Sequence, residues 1–296
     1  MRRYAITHTT TYEYSNWVSS SYGRGYLTPR DTADQKLIDH GVTVDPQAAD
    51  FALSRDSYGN SQLYFHVTEP HCTLVVTGTS TVEVDPHAPD PKSLAQPWEK
   101  AIPDGTTRES VAAIEFMLDL DPPEITPDVR AYAATSFTPG RPIGEAVAEL
   151  NHRIFTDFTY ESGATNVSTR VAEVLRDRSG VCQDFARLAV ACLRSVGLAS
   201  RYVSGYLATD PPPGKERMVG VDATHAWADV RIGPEAWVGF DPTNDQFVDE
   251  RYVVVAWGRD YADVPPLRGV IYTEADSSTI HVSVDVAPLN PIGSHA

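Results

Sequence analysis

Cysteine is scarce in this chain and badly placed for pairing. Its three thiols, Cys72, Cys182 and Cys192, are odd in number, and none stands in a C-x-x-C spacing. That argues against both a disulfide framework and a thiolate metal site. Long apolar runs are missing as well. No stretch approaches the roughly 18 consecutive apolar residues of a membrane span, so no membrane partner is expected. Basic charge is in deficit: 24 Lys and Arg against 40 Asp and Glu leave a formal charge of −16, which argues against nucleic acid or anionic lipid. The nine histidines are scattered, with neither H-E-x-x-H nor paired spacing, and no metal or organic cofactor is expected. The basic start Met1-Arg2-Arg3-Tyr4 leads into Thr7, His8, Thr9, Thr10 and Thr11, where a signal peptide would carry its apolar core. The expected compartment is therefore the cytoplasm. What remains is the composition of an ordinary globular protein: 296 residues, 42% hydrophobic and 22% charged, enough for two domains or one large one.

Residues 1–88 carry β patterning. Tyr4, Ile6, His8, Thr10, Tyr12 and Tyr14 alternate like a half-buried strand, a turn signal at Asp56–Ser61 precedes the strand-like 63–67, and a β-rich run covers Cys72 to Val84. This reads as an antiparallel sandwich or open barrel. The Pro-rich stretch Asp85–Pro91 ends it. Helical patterns follow: Glu109–Leu118; a second with Thr126 as cap and Pro127 at the first helical position; a third over Ile143–Phe155; and a short one near Thr169–Arg176. Strands return at Arg201–Leu207, Thr224–Ile232 and Ala236–Phe240, and again at Thr279–Val286. Asp210–Lys215 reads as an exposed loop.

The chemistry-bearing stretch is Ser179-Gly180-Val181-Cys182-Gln183-Asp184. It opens a helix whose apolar positions, Phe185, Leu188, Ala189, Cys192, Leu193 and Val196, follow the spacing of one buried face. Three back from Phe185 is Cys182, which places its thiol inward. The first turn, with its free N–H groups and positive dipole end, favours the nucleophilic thiolate. Cys192, deeper in the same helix, reads as a small core residue. A base and an orienting group come from the predicted hairpin around Gly233-Pro234-Glu235. The numbers of His225 and Asp241 average to 233, so a regular ladder would set them opposite each other, with Cβ atoms about 5 Å apart. A carboxylate there would fix the imidazole tautomer and leave the other nitrogen for the thiol, the logic of a Cys-His-Asp triad.

Gly180–Ala186, Arg194–Tyr206, His225-Ala226-Trp227 and Asp241-Pro242-Thr243-Asn244 together resemble the bacterial transglutaminase-like superfamily. The preceding region resembles the β domain of one bacterial subfamily through Tyr4, Ile6, His8, Tyr12, Tyr14, Leu27, Pro29, Arg30, Asp56, Gly59 and Asn60. Gly258–Val264 resembles it near the end. The resemblance implies an α+β protein. An N-terminal antiparallel β domain would span 1–88, a linker and helix 89–125, a papain-like, transglutaminase-like catalytic core 126–260, and a C-terminal strand segment 261–296. It implies Cys182 as nucleophile, His225 as base and Asp241 as orienter.

The expected activity is cysteine-dependent hydrolysis of amide bonds in a peptide or protein substrate, through an acyl-thioester. The alternatives are a protein-glutamine acyltransferase using the same triad, and a non-catalytic peptide-binding module. Gln183 and Trp227 are the candidate substrate-binding residues, Trp227 as a wall on the face of His225. The backbone N–H of Cys182 is a natural oxyanion donor. For a second donor, Gln183 and Asn166 are the candidates. Asp184, about 200° around the helix from Cys182, is expected to buttress a loop or helix end. Arg259, Asp260 and Tyr261 are candidates for a hydrogen-bonded corner near the site. Oligomeric state is not legible in the sequence.

Overall fold

The computed structural model describes residues 1–209, 224–234 and 236–289. The N-terminal alternation extends into one long strand, β1 (Arg2–Gly25), which buries Tyr4, Ile6, His8 and Thr10 on one face. β2 (Gln35–Asp45), β3 (Asp50–Arg55), β4 (Ser61–Val67) and β5 (His71–Val84) follow. They belong to one antiparallel sheet of seven strands, ordered β2-β5-β1-β4-β3, in which β4 packs with β5 and β2 around one apolar cluster. Its other two strands come from the far end of the chain and pair with β1.

The linker leads through the short α1 (Pro91–Leu94) and α2 (Arg108–Ile114) to α3 (Pro127–Ser136), where the Thr126 hydroxyl accepts the Val129 N–H at 3.3 Å and Pro127 takes the first turn. α4 (Ile143–Asp157) buries Ile143, Ala146, Val147, Leu150 and Ile154, its predicted face. Then come β6 (Thr159–Tyr160), α5 (Val171–Asp177), β7 (Ser179–Gly180) and α6 (Cys182–Ser195). α6 is wrapped by protein: Phe185, Leu188, Ala189, Cys192 and Leu193 are all buried. β8 (Ser200–Leu207), β9 (Thr224–Arg231), β10 (Trp237–Asp241), β11 (Gln246–Phe247) and β12 (Tyr252–Gly258) make a second antiparallel sheet, ordered β11-β10-β9-β8-β12. Ala226, Ala228 and Val230 of β9 share one core with α6. The Asp210–Lys215 loop and Glu235 lie outside the described residues.

β12 was not legible as a strand, because Tyr252-Val253-Val254-Val255-Ala256 is apolar throughout and has no alternation. β13 (Leu267–Thr273) and β14 (Ser278–Leu289) then return to the first sheet. β14 pairs with β1 from Arg3↔Leu289 to Tyr14↔Ser278, and β13 pairs with its second half. Tyr4, Ile6, Val284 and Val286 therefore belong to the same core as α6.

The seam between the two sheets is polar at defined points. The Tyr4 hydroxyl donates to the Glu250 carbonyl at 3.0 Å, and His8 Nδ1 meets the Tyr206 hydroxyl at 3.0 Å. Two buried amides cover the outer edge of β12. Gln35 donates to the Val254 carbonyl and accepts its N–H, both at 2.8 Å. Asn60 does the same for Trp257, at 2.8 and 3.1 Å. Each side chain stands in for a neighbouring strand, satisfying an edge that would otherwise be open. Arg30 donates to the Asn60 side-chain oxygen and stacks 3.2 Å over the Trp257 ring. The Arg30 and Asp56–Asn60 signatures thus work as a clasp on the second sheet. No helix among the described residues is long and apolar enough to cross a membrane.

Candidate active site

Cys182 is the first residue of α6, and the chain before it is fastened on both sides. Asp184, in the same first turn, accepts the Val181 N–H at 2.9 Å and the Thr165 hydroxyl at 2.6 Å on one carboxylate oxygen. It caps the helix and ties down the loop before α5, the buttressing role its position implied. Gly180 is required here, because a Cβ at that position would fall 2.9 Å from the Asp184 side chain. The Gly180 carbonyl accepts the Glu161 N–H at 2.9 Å, and β6 runs parallel to β7 alongside. The thiol is half-buried, at a helix end where the backbone N–H groups have no intrahelical partner.

His225 stands near the start of β9, directly opposite Gly205 of β8. Asp241 ends β10. The hairpin register differs from the regular one expected. Trp237 pairs with Arg231 and Phe240 with Ala228, so the ladder is centred on Pro234, and its continuation puts Asp241 across from Trp227. The slip is two residues, which preserves the face, because side chains alternate with period two. Asp241 is therefore diagonal to His225, and the contact forms all the same: His225 Nε2 lies 2.7 Å from Asp241 Oδ2.

Asp241 is fully buried and saturated with donors. Oδ2 also accepts the Asn244 amide at 2.6 Å and the Tyr252 hydroxyl at 2.7 Å, and Oδ1 accepts the Thr243 N–H at 2.8 Å. Burial opposes its charge, but His225, Asn244 and Tyr252 hold its carboxyl below the usual range. For His225, burial alone would push the imidazole down. Its hydrogen bonds to Asp241 and Cys182, and their charges, outweigh burial and push it up to about 10. With Nε2 committed to Asp241, Nδ1 is the nitrogen left for the thiol. An imidazole held between a carboxylate and a thiol is the arrangement of a cysteine–histidine nucleophile and base.

Cys182 and His225 line a cavity of about 270 Å³ together with Gln183, Tyr202, Ser204 and Tyr261. Gln183 therefore does border the cleft. Trp227 does not. It shares the side of β9 that carries His225, but it is fully buried, 6.3 Å from the His225 ring centroid and edge-on to Tyr252 at 5.3 Å. It supports the imidazole from below and lines a larger cavity of about 600 Å³, with Arg201, Trp237 and Trp257 among its walls. Among its described lining residues that larger cavity has no cysteine or serine, whereas Cys182 and His225 line the smaller one. Alternation gave the face of Trp227 but not its depth. Asn166 is exposed, outside the cleft, with its side-chain oxygen accepting the Ser168 N–H at 2.8 Å.

The expected corner at 259–261 is built around Asp260, which accepts Arg187 Nε of α6 at 2.8 Å. Arg187 also bonds Glu124 at 3.2 Å and the Thr169 carbonyl at 2.6 Å. This buried cross-link fixes Tyr261 at the cleft. Tyr252 and Tyr202 were not found from sequence. Each stands in a strand with no local signal tying it to Cys182, and only sheet pairing brings them close.

Two family models match the chain: "Bacterial transglutaminase-like N-terminal region" over residues 4–83 and "Transglutaminase-like superfamily" over residues 130–242. An uncharacterized protein of Mycobacterium tuberculosis is 59% identical over 301 residues, covering 99% of this chain and 95% of the relative. One from Mycobacterium leprae is 32% identical over 295 residues, covering 98% and 100%. Among solved structures, that of a "putative cysteine protease" from Cytophaga hutchinsonii superposes with a TM-score of 0.78 at 23% identity. It covers 99% of this chain and 92% of that one, and the likeness is one of fold.

Proposed function

The chain belongs to the transglutaminase-like superfamily, with a transglutaminase-like core behind an all-β N-terminal region, and from that premise we propose that it is a thiol hydrolase cleaving amide bonds of a peptide or protein. The observation that carries this reading is a single one. An imidazole 2.7 Å from a fully buried carboxylate shares a cavity with a cysteine at a helix start.

In the proposed reaction, Cys182 gives its thiol proton to His225 Nδ1, Sγ bonds to the carbonyl carbon, and the carbonyl π pair moves onto oxygen. As that pair returns, the C–N bond breaks and the leaving amine takes the proton from His225 Nδ1. The acyl group is then a thioester on Cys182. A water gives a proton to His225 as it attacks the thioester. The C–S bond breaks, and the carboxylic acid leaves. Asp241 stays ionised throughout, holding the imidazole in one orientation and balancing its charge. Hydrolysis is favoured over transfer to an amine because it needs only water as the second substrate.

The test has two parts. Iodoacetamide labelling read by mass spectrometry should modify Cys182 well ahead of Cys72 and of a free thiol at pH 7, and Cys182→Ala should abolish cleavage of a synthetic peptide library. Equal labelling rates, with cleavage unchanged in Cys182→Ala, would sink the enzyme reading. Incubation with a glutamine-containing protein and a labelled primary amine should leave the protein unlabelled. Incorporation would reassign the second step to transfer.

A further inference from the structure

An acyl-transfer site must hold the negative oxygen of its tetrahedral intermediate, and one backbone N–H is rarely the whole provision. The Cys182 N–H at the start of α6 supplies one donor. Tyr160, Ser204, Tyr261 and Tyr202 carry hydroxyls in its cavity, Asn166 lies outside it, and they are not equivalent. Tyr160 is 54% exposed, so its side chain is less firmly held. Asn166 is spent on its own turn. Ser204 carries its hydroxyl one bond from Cβ, close against the sheet. Tyr261 stands on a short turn and packs edge-on against Tyr202, with ring centroids 6.2 Å apart.

Tyr202 differs from all of these. It lies on β8, which is paired on both sides, opposite Ala228 of β9 and Gly258 of β12, so its Cα is held from two directions. The residue is 2% exposed, and its ring projects from the sheet toward the α6 layer, into the core that α6 shares. It lines the Cys182 cavity, and its hydroxyl is hydrogen-bonded to no other described residue. A phenol whose ring is buried and whose hydroxyl has no acceptor among the described residues is placed to donate to charge that develops in the cavity. Burial, with the nearby charge of Cys182, raises its pKa well above the ordinary phenol value, so it keeps its proton wherever the enzyme is folded.

We propose that the Tyr202 hydroxyl is the second oxyanion donor, acting with the Cys182 N–H on the tetrahedral intermediate. The proposal rests on the acyl-transfer reading of Cys182. When the Sγ–C bond forms, the carbonyl pair localises on oxygen, and Tyr202 Oη–H and the Cys182 N–H each donate a hydrogen bond to it. No proton changes owner. When the pair returns and the C–N bond breaks, both donors are released. Because Tyr202 has no acceptor among the described residues, its bond is made chiefly as the charge develops, where it lowers the barrier rather than tightening ground-state binding.

The test compares two reactions of the same thiol. Acylation of Cys182 by p-nitrophenyl acetate, followed by nitrophenolate release, passes through an oxyanion; alkylation by iodoacetamide is a direct displacement and does not. In Tyr202→Phe, acylation should slow by about 10², while alkylation stays within about twofold of wild type. The alkylation rate also reports that the variant has folded around an intact thiol. Acylation within threefold of wild type overturns the proposal, as does a parallel fall of both rates, which would mean that Tyr202 acts on the thiol or on the fold. A large acylation loss in Ser204→Ala but not in Tyr202→Phe moves the donor to Ser204 and also overturns it. If wild-type Cys182 is not acylated at all, the acyl-transfer reading itself fails, and this proposal with it.

Discussion

His8 and His225 are both almost closed off from water, yet their protons are held in opposite ways. His225 is pushed up to about 10 and His8 down to about 4. They flank neighbouring residues of one strand: His8 meets the hydroxyl of Tyr206, and His225 lies across from Gly205. What separates them is the chemistry of the partners. His8 is bracketed by two hydroxyls, Tyr206 at 3.0 Å and Thr10 at 3.1 Å, which satisfy a neutral ring but offer nothing to balance a charge. Burial alone then decides, and it favours the neutral form. His225 has a carboxylate on one nitrogen and a thiol for the other. Two largely buried histidines thus become a neutral link in the seam and a charged member of the proposed site.

The largest effect should come from removing the carboxylate. Asp241→Asn preserves the shape of the site but takes away the charge that outweighs burial at His225. Turnover should fall on the order of 10³–10⁴-fold. The alkaline limb of the pH–rate profile, set by loss of the imidazolium proton near pH 10 in the wild type, should move down toward the ordinary value of 6.5. An unmoved limb would show that Asp241 is not what holds the proton.

The converse experiment is on His8. Its folded pKa lies below its unfolded value, so the unfolded chain binds the extra proton first. The stability of the seam is whole above about pH 6.5 and is lost as the pH falls toward 4. His8→Gln keeps a hydrogen-bonding group facing Tyr206 without the titration. Urea unfolding at pH 7 and pH 4 should show the wild type losing about 3 kcal/mol more than the variant across that interval. Equal losses would remove His8 from the acid response. His225 has the opposite sign, because its contribution is present below pH 6.5 and fades as the pH rises toward 10.

The smallest effect sharpens the comparison from within the site. Tyr252→Phe removes one of three donors to Asp241 Oδ2 and leaves the charge in place. Turnover should drop by about tenfold or less, with the alkaline limb moving by under one pH unit. A loss as large as that of Asp241→Asn would mean that the phenol, rather than the carboxylate, sets the imidazole.

The Cys182 helix was legible in the sequence because its burial has a helical period and its cysteine sits at its first turn. His225 and Asp241 were legible as partners for a less secure reason. The numbering centres the ladder on Gly233 and the structure centres it on Pro234, and the contact forms because a two-residue slip returns every side chain to its own face. A slip of one would have turned Asp241 away. Tyr252, Tyr202 and the Gln35 and Asn60 clasp stayed hidden, because each depends on two strands meeting that are far apart in the chain. Trp227 was placed on the right face at the wrong depth. No local pattern tells a residue which of the two sheets will cover it.

β1 has β5 and β4 along one edge and β14 and β13 along the other, and the latter pair are made only after the whole catalytic core. During synthesis, the first strand therefore has a bare edge until the ribosome has delivered its partners, from Leu267 opposite Gly25 to Leu289 opposite Arg3. Half of this sheet must be kept from pairing with other nascent chains for most of translation. His8, on that strand, can form its link to Tyr206 before β14 arrives, but the sheet that holds it is finished last. A ribosome that stalls after β12 would release a chain with every proposed catalytic residue present and its first strand still open to aggregation.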